Sequence, residues 1–324
     1  MSTARELRRR IESCELQHPA FMELYGVLKQ RLDDAYDGFA SRIEWVVGPS
    51  RVGKTMLINA LSRLHPEQKV DGKRQVPVLI VPVSPNISPL LLPTSVLMAL
   101  GVPLPQRGIT SGVMFNRMMD QLRLAQTKVL MFEEASHLVE PGARVPPRAA
   151  GDWFKSVADN LNLALLLFGV PRLERLFDSN EQLRLRASAR REFRPYDFRS
   201  REEQVAFASC VRTYADLFAA SGWPIGLPLH QLVPQCYLLS GGLVGVLSRF
   251  MQELASQMAY ESPRELTLED CQSAAGAIES AGHPDFPAFH KADATAIELN
   301  MAHAHVLDTN GMAIRRVVAS EGAV

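Results

Sequence analysis

Residues 48–55 read Gly-Pro-Ser-Arg-Val-Gly-Lys-Thr. Gly48, Gly53, Lys54 and Thr55 stand at the spacing of a loop whose inward-pointing amides surround a phosphate. The helix that follows the loop would add its positive N-terminal end. Lys54 is then placed to reach the outer phosphates of a nucleotide, and the Thr55 hydroxyl to ligate Mg²⁺. The expected nucleotide-binding residues are Gly48, Pro49, Ser50, Arg51, Val52, Gly53, Lys54, Thr55 and Met56. Arg51 stands where many such loops carry a further glycine. The position reads as tolerant, since it supplies only an amide and its side chain can point outward.

A second constellation lies some 80 residues on. Val129-Leu130-Met131-Phe132 is an apolar run that ends in Glu133 and Glu134. Two carboxylates leaving a buried strand at its C-terminal end sit where open α/β sheets bind ligands. Glu133 would serve Mg²⁺ and Glu134 would orient and deprotonate an attacking water. With Lys54 as the phosphate anchor, the chemistry is ATP binding and hydrolysis, with ATP and Mg²⁺ required.

The elements that must position these groups follow from periodicity. Helical spacing runs through the first 40 residues. Strands are expected at 43–47, 76–83, 128–132, 163–168 and 192–198, with helices through 56–64, 87–100, 111–127 and 152–160 between them. The prolines in 76–83 place that strand at an edge or an irregular end. Strands alternating with helices predict an α/β fold, a parallel sheet with helices on both faces. From Ser200 the pattern becomes helical: 201–220, 229–238, 243–260 and 267–281. Ser200 and Glu203 read as a capping box. The expected organisation is an N-terminal helical segment (1–40), an α/β core (41–198), a helical lid (199–282) and a weakly periodic tail (283–324), disordered or partner-binding.

The 324 residues are 47% hydrophobic and 22% charged, with formal net charge zero. Zero net charge excludes nucleic-acid binding by bulk charge, so any such contact must come from local patches. No apolar run is long enough to cross a membrane. Cys14, Cys210, Cys236 and Cys271 lack metal-ligand spacing and read as reduced thiols of a cytoplasmic protein.

In this order the motifs resemble the AAA+ ATPases, and more closely the TniB/TnsC-like regulators of DNA transposition. The residues that carry the closer resemblance are His18-Pro19-Ala20-Phe21, the 48–55 loop, VLMFEEASHLV (129–139), LLLFGVPRLERLF (165–177) and NEQLRLR (180–186). The resemblance covers about residues 15–280. It implies homo-oligomers, ring or helical filament, with ATP at subunit contacts, double-stranded DNA as a partner, and exchange with a transposase and target-selection proteins.

The resemblance also implies an arginine acting in trans on the γ-phosphate. Arg184, Arg186, Arg190 and Arg191 are candidates, with Arg186 and Arg190 favoured. DNA contact is expected from Arg107, Thr110 and Arg117, repeated along an assembly. Three departures from the family pattern point to slow turnover. Glu133 replaces the usual aspartate. Gly169-Val170 offers no polar sensor. The turn 240–246 lacks the usual arginine, and Arg249 lies too far along. The alternatives are a helicase-loader or signalling-type switch of the same fold, and a small-molecule P-loop kinase.

Overall fold

A computed structural model describes residues 4–39, 43–86, 88–104, 110–291 and 293–315. The chain opens with helices α1 (Ala4–Glu12) and α2 (Pro19–Tyr36). There follow β1 (Ile43–Val47), α3 (Lys54–Ser62), the short strands β2 (Gln68–Val70) and β3 (Lys73–Gln75), β4 (Val78–Pro82), α4 (Leu91–Ala99) and α5 (Ser111–Leu124). Next come β5 (Val129–Glu133), α6 (Pro147–Leu161), β6 (Ala164–Gly169), α7 (Glu174–Asp178), α8 (Glu181–Arg186) and β7 (Arg191–Glu192). Helices then take over: α9 (Arg201–Ala220), α10 (Leu229–Ser240), α11 (Val244–Gln257), α12 (Leu268–Gly276) and α13 (Ala296–Thr309).

Two compact units form. One is Phe21–Gly48 with Lys54–Phe193; the other is Met1–Ala20, Pro49–Gly53 and Arg194–Val324. The leading helical segment and the phosphate loop are therefore each divided between the units. No helix among the described residues is long and apolar enough to cross a membrane.

The α/β unit holds a sheet of order β4-β5-β6-β1-β7, and every pairing in it is parallel. Every residue of β1 and β6 is buried. Successive side chains of a strand point to opposite faces, so burial without alternation means that both faces are covered. β4 alternates and lies at the edge, as its prolines suggest. In the core, Trp45 stacks on Phe177 at 4.2 Å, and Phe132 meets Phe154 edge-on at 5.0 Å.

β1 also buries a charge that its apolar appearance conceals. Glu44 is 1% exposed and is bonded by Arg31 Nε and Arg191 Nε, each at 3.1 Å, and by the Ser188 hydroxyl. The carboxylate is thus paired from both sides, as a buried charge must be.

The last strand is shorter than expected. Phe193 N still donates to Val47 O at 2.8 Å, but Pro195 has no amide to offer a ladder. Tyr196 N then turns to Gly242 O at 3.0 Å, and Asp197 N to Glu203 Oε2 at 2.6 Å. That last bond also corrects the expected capping box. Ser200 caps α9 through Glu203 N, but the Glu203 carboxylate reaches Asp197 and not the cap amide.

The helical unit is built around Phe207, Tyr214, Phe218, Tyr237 and Phe250, all at most 1% exposed. α1 packs Leu7 and Ile11 into this unit, against α9 and α11. The segment read as a weakly periodic tail is folded through residue 315. Phe289 stacks on Phe250 at 5.1 Å, buried Gln235 bonds both Phe289 N and Lys291 O, and α13 starts at a capping box of Thr295 and Glu298. Helical periodicity is weak there because much of 277–295 packs as irregular chain.

Candidate nucleotide-binding site

Within the α/β unit, β1, β5 and β6 end together. Gly48 N donates to Gly169 O at 3.1 Å, tying the start of the loop to the end of β6. α3 begins at Lys54, whose side chain is buried and whose amine donates to Gly48 O at 2.9 Å. Burial pushes the Lys54 amine down from its ordinary pKa, while Glu134 and Glu133 pull it back up. One turn of helix fixes Thr55 beside β5, and its hydroxyl donates to Glu133 Oε1 at 2.5 Å. The residues singled out in two separate stretches of sequence thus meet, and a hydroxyl and a carboxylate converge as hard oxygen donors.

Glu134 follows with φ 54° and ψ 38°, a left-handed conformation uncommon for a side chain of this kind. It starts the 3-10 turn Ala135–Val139, whose Ser136 hydroxyl accepts from Val170 N at 3.3 Å. A Cβ at position 169 would lie 3.0 Å from Ser136 N, which explains why β6 ends in glycine. No polar side chain follows β6 at 169–170, but buried Ser136 brings one to that strand end from the neighbouring turn. At the end of this turn Glu140 lies 2.8 Å from His137 Nδ1 and pairs with Arg172 at 3.3 Å.

Within the helical unit, residues 49–53 meet the turn between α10 and α11. Arg51 has φ 63°, so it takes the left-handed conformation that favours glycine. Position 51 therefore demands a left-handed backbone and not only an amide. Arg51 O accepts from Gly245 N at 2.9 Å, and its guanidinium pairs with Glu279 at 3.3 Å. A Cβ on Gly245 would lie 2.3 Å from Arg51 O, and one on Gly242 would lie 2.2 Å from Tyr196 O. At this turn the group that meets the loop is a backbone amide, Gly245 N. Arg249 is exposed further along α11. Gly241, Gly242 and Gly245 in five residues were the available signal for such a close approach.

The arginine-rich stretch is anchored by Asn180. Its side chain caps α8 through Leu183 N at 3.0 Å and donates to Arg148 O and Asp152 Oδ1 of α6. Arg186 pairs with Asp159, and Arg190 with Glu174 and Glu192. Arg191 is taken up by Glu44. Arg184 is exposed beside Leu185, itself 78% exposed, and makes no ion pair among the described residues.

Of the DNA-contact candidates, Arg107 lies outside the described residues. Thr110 spends its hydroxyl oxygen capping α5, accepting from Val113 N at 3.4 Å. Arg117 donates to Pro103 O at 2.9 Å and so holds the start of the loop. All four cysteines are free thiols. Burial pushes Cys210 and Cys271 up to about 12, so neither is a thiolate at neutral pH.

The architecture has counterparts among solved structures. The chain is similar to the Aeropyrum pernix ORC2 protein in its ADPNP–ADP complexes, at 14% identity over 86% of this chain and 73% of that one, with TM-score 0.61. It is also similar to Cdc6p from Pyrobaculum aerophilum, at 13% identity over 82% and 68%, with TM-score 0.60. The Aeropyrum pernix ORC1 protein in complex with DNA matches at 18% identity over 84% and 69%, with TM-score 0.56. At these identities the likeness establishes the fold alone, the AAA+ P-loop fold with a helical C-terminal part. No curated protein sequence matches the chain. A family model described as bacterial TniB protein matches residues 17–194, more than half of the chain, from the helix before β1 to the end of the sheet. With that match over the very segment that carries the phosphate loop, the paired acids and the NEQLRLR block, the chain belongs to the TniB family.

Proposed function

We propose that this protein is an ATP-dependent regulator of DNA transposition, which assembles on double-stranded DNA with ATP and releases it on hydrolysis. The observation that carries the reading is the meeting of Thr55 and Glu133 next to a buried Lys54, in a chain of the TniB family.

In this reading residues 48–56 hold the nucleotide. Lys54, whose amine bonds Gly48 O, would exchange that bond for the outer phosphates. The oxygens of Thr55 and Glu133 suit Mg²⁺, which would neutralise phosphate charge when bound. Among the described residues no cluster of three His, Cys, Asp or Glu could hold a metal ion, so the remaining ligands would be phosphate and water. Glu134 would act as general base. Its left-handed backbone is the kind of local strain found at working sites. The extra methylene of Glu133 relative to aspartate favours a slow switch over a fast motor.

Oligomers would place an arginine of one subunit on the ATP of the next. Arg186 and Arg190 are both engaged by carboxylates of their own chain, Arg190 by two. Arg184, open and next to an exposed leucine, is better placed to reach a neighbour. The transposase and the target-selection proteins would read the assembled state.

The deciding experiment measures ATP hydrolysis with and without duplex DNA and images the ATP-bound protein on DNA by electron microscopy. Stimulation by DNA and ordered assemblies are expected. Hydrolysis that responds to a small phosphate acceptor and ignores DNA would overturn the reading in favour of a kinase.

A further inference from the structure

β2 and β3 form an antiparallel hairpin that sequence periodicity did not reveal. It pairs Gln68 with Gln75, Lys69 with Arg74, and Val70 with Lys73. Every residue of it is exposed except half-buried Gln75. So short a ribbon is marginal alone and contributes nothing to the core, yet its geometry is well specified. Asp71 and Gly72 have φ 50° and 77°, the two positive angles of a tight hairpin turn. Gln68 Nε2 donates to Gln75 Oε1 across the strands at 3.2 Å.

Arg74 fixes where the ribbon stands. It forks onto Glu67, with Nε–Oε1 at 2.6 Å and Nη2–Oε2 at 2.8 Å, and also donates to Leu100 O at the end of α4. Arg117 holds Pro103 O three residues further along. The ribbon is thereby tied to the start of the α4–α5 connection, the segment expected to touch DNA.

The charges left over are informative. Glu67 is neutralised by Arg74. Lys69 and Lys73 have no carboxylate partner among the described residues, and Lys69 stands directly opposite Arg74 across the ladder. Glu67 already meets the Arg74 charge, so Lys69 and Lys73 are the cations left to be received. Adjacent residues of a strand face opposite ways, so Lys69 shares a face with Arg74, and Lys73 lies on the other face with Val70.

We infer that the β2–β3 hairpin is a second DNA-contact element, with Lys69 and Lys73 bound to phosphates of duplex DNA. The inference rests on the DNA-binding reading above. A two-stranded ribbon fits the major groove, whose two walls are phosphate backbones. A lysine on each face of the ribbon matches a phosphate wall on each side. Asp71, the one acid at the tip, is there because the turn favours Asp or Asn before glycine.

The test measures affinity for duplex DNA across a salt series, with ATP present. Lys69→Ala/Lys73→Ala should bind more weakly, and its slope of log K against log salt should be shallower by about 1.8, the value for two lost phosphate contacts. Asp71→Asn keeps the turn and removes the opposing charge, so it should bind more tightly. A merely structural hairpin would not move affinity in these opposite directions. ATP binding, measured in parallel, should be unchanged in both variants. If the parent binds DNA and both variants match its affinity and slope, the hairpin assignment is wrong. If the parent itself ignores DNA, the DNA-binding reading falls, and this inference with it.

Discussion

Gly245 N donates to Arg51 O at 2.9 Å, and a Cβ on Gly245 would lie 2.3 Å from that same oxygen. The first turn of α11 therefore touches the backbone of the phosphate loop, with no side chain between them. Gly245→Ala would force these two backbones apart. Such overpacking typically costs 1–3 kcal/mol. ATP affinity should fall on the order of tenfold or more, since about 1.4 kcal/mol corresponds to a factor of ten. Titration with a fluorescent ATP analogue checks this, and unchanged affinity would remove the turn from the nucleotide site.

Arg51 sits at φ 63°. For a residue with a Cβ that conformation costs about 1–2 kcal/mol, and glycine pays about 0.5–1 kcal/mol in chain entropy for its freedom. The Glu279 carboxylate of its ion pair is 82% exposed, so the pair contributes little. Arg51→Gly should therefore be more stable than the parent by about 0.5 kcal/mol and should still bind ATP. Arg51→Ala keeps the strain and should show no such gain. Thermal unfolding of both variants decides.

Lys54→Ala and Glu134→Gln should fail in different ways. Removing the Lys54 amine takes away the proposed phosphate anchor, so ATP binding and assembly on DNA should both be lost. Glu134→Gln keeps the binding groups and removes the proposed base. Its hydrolysis should fall by about 10²- to 10⁴-fold, while assemblies persist on DNA. Light scattering and sedimentation with ATP and DNA separate the outcomes. If Glu134→Gln disassembles as fast as the parent, the base lies elsewhere.

His18 is 4% exposed, its Nδ1 lies 2.6 Å from the Tyr196 hydroxyl, and burial lowers its pKa from 6.5 to about 4. Above pH 6.5 neither the folded nor the unfolded chain holds this proton. As pH falls from 6.5 towards 4, the unfolded chain takes a proton that the folded one refuses, and stability is lost by about 1.4 kcal/mol per pH unit. Between pH 7 and pH 5 the parent should lose about 2 kcal/mol more than His18→Gln. Urea unfolding at the two pH values measures the difference.

The sequence by itself pointed to the proposed site. Gly48, Gly53, Lys54 and Thr55 are neighbours along the chain, and Glu133 and Glu134 end an apolar run, so local pattern sufficed to name the phosphate loop, the acid pair and the parallel sheet between them. The β2–β3 hairpin was legible in principle from Asp71-Gly72, but strands of three residues are too short for periodicity to register. Glu44 was hidden inside an apolar run because its partners, Arg31 and Arg191, come from remote elements.

Tertiary structure alone decided the remainder, since each decision depends on groups far apart in sequence. It set Arg51 in a glycine's conformation under Gly245, engaged Arg186 and Arg190 with carboxylates of their own chain while leaving Arg184 open, and packed Phe289 against Phe250. A short motif can state which atoms meet a phosphate. Which backbones approach closely, and which charges remain unpaired, is settled only when the chain has packed.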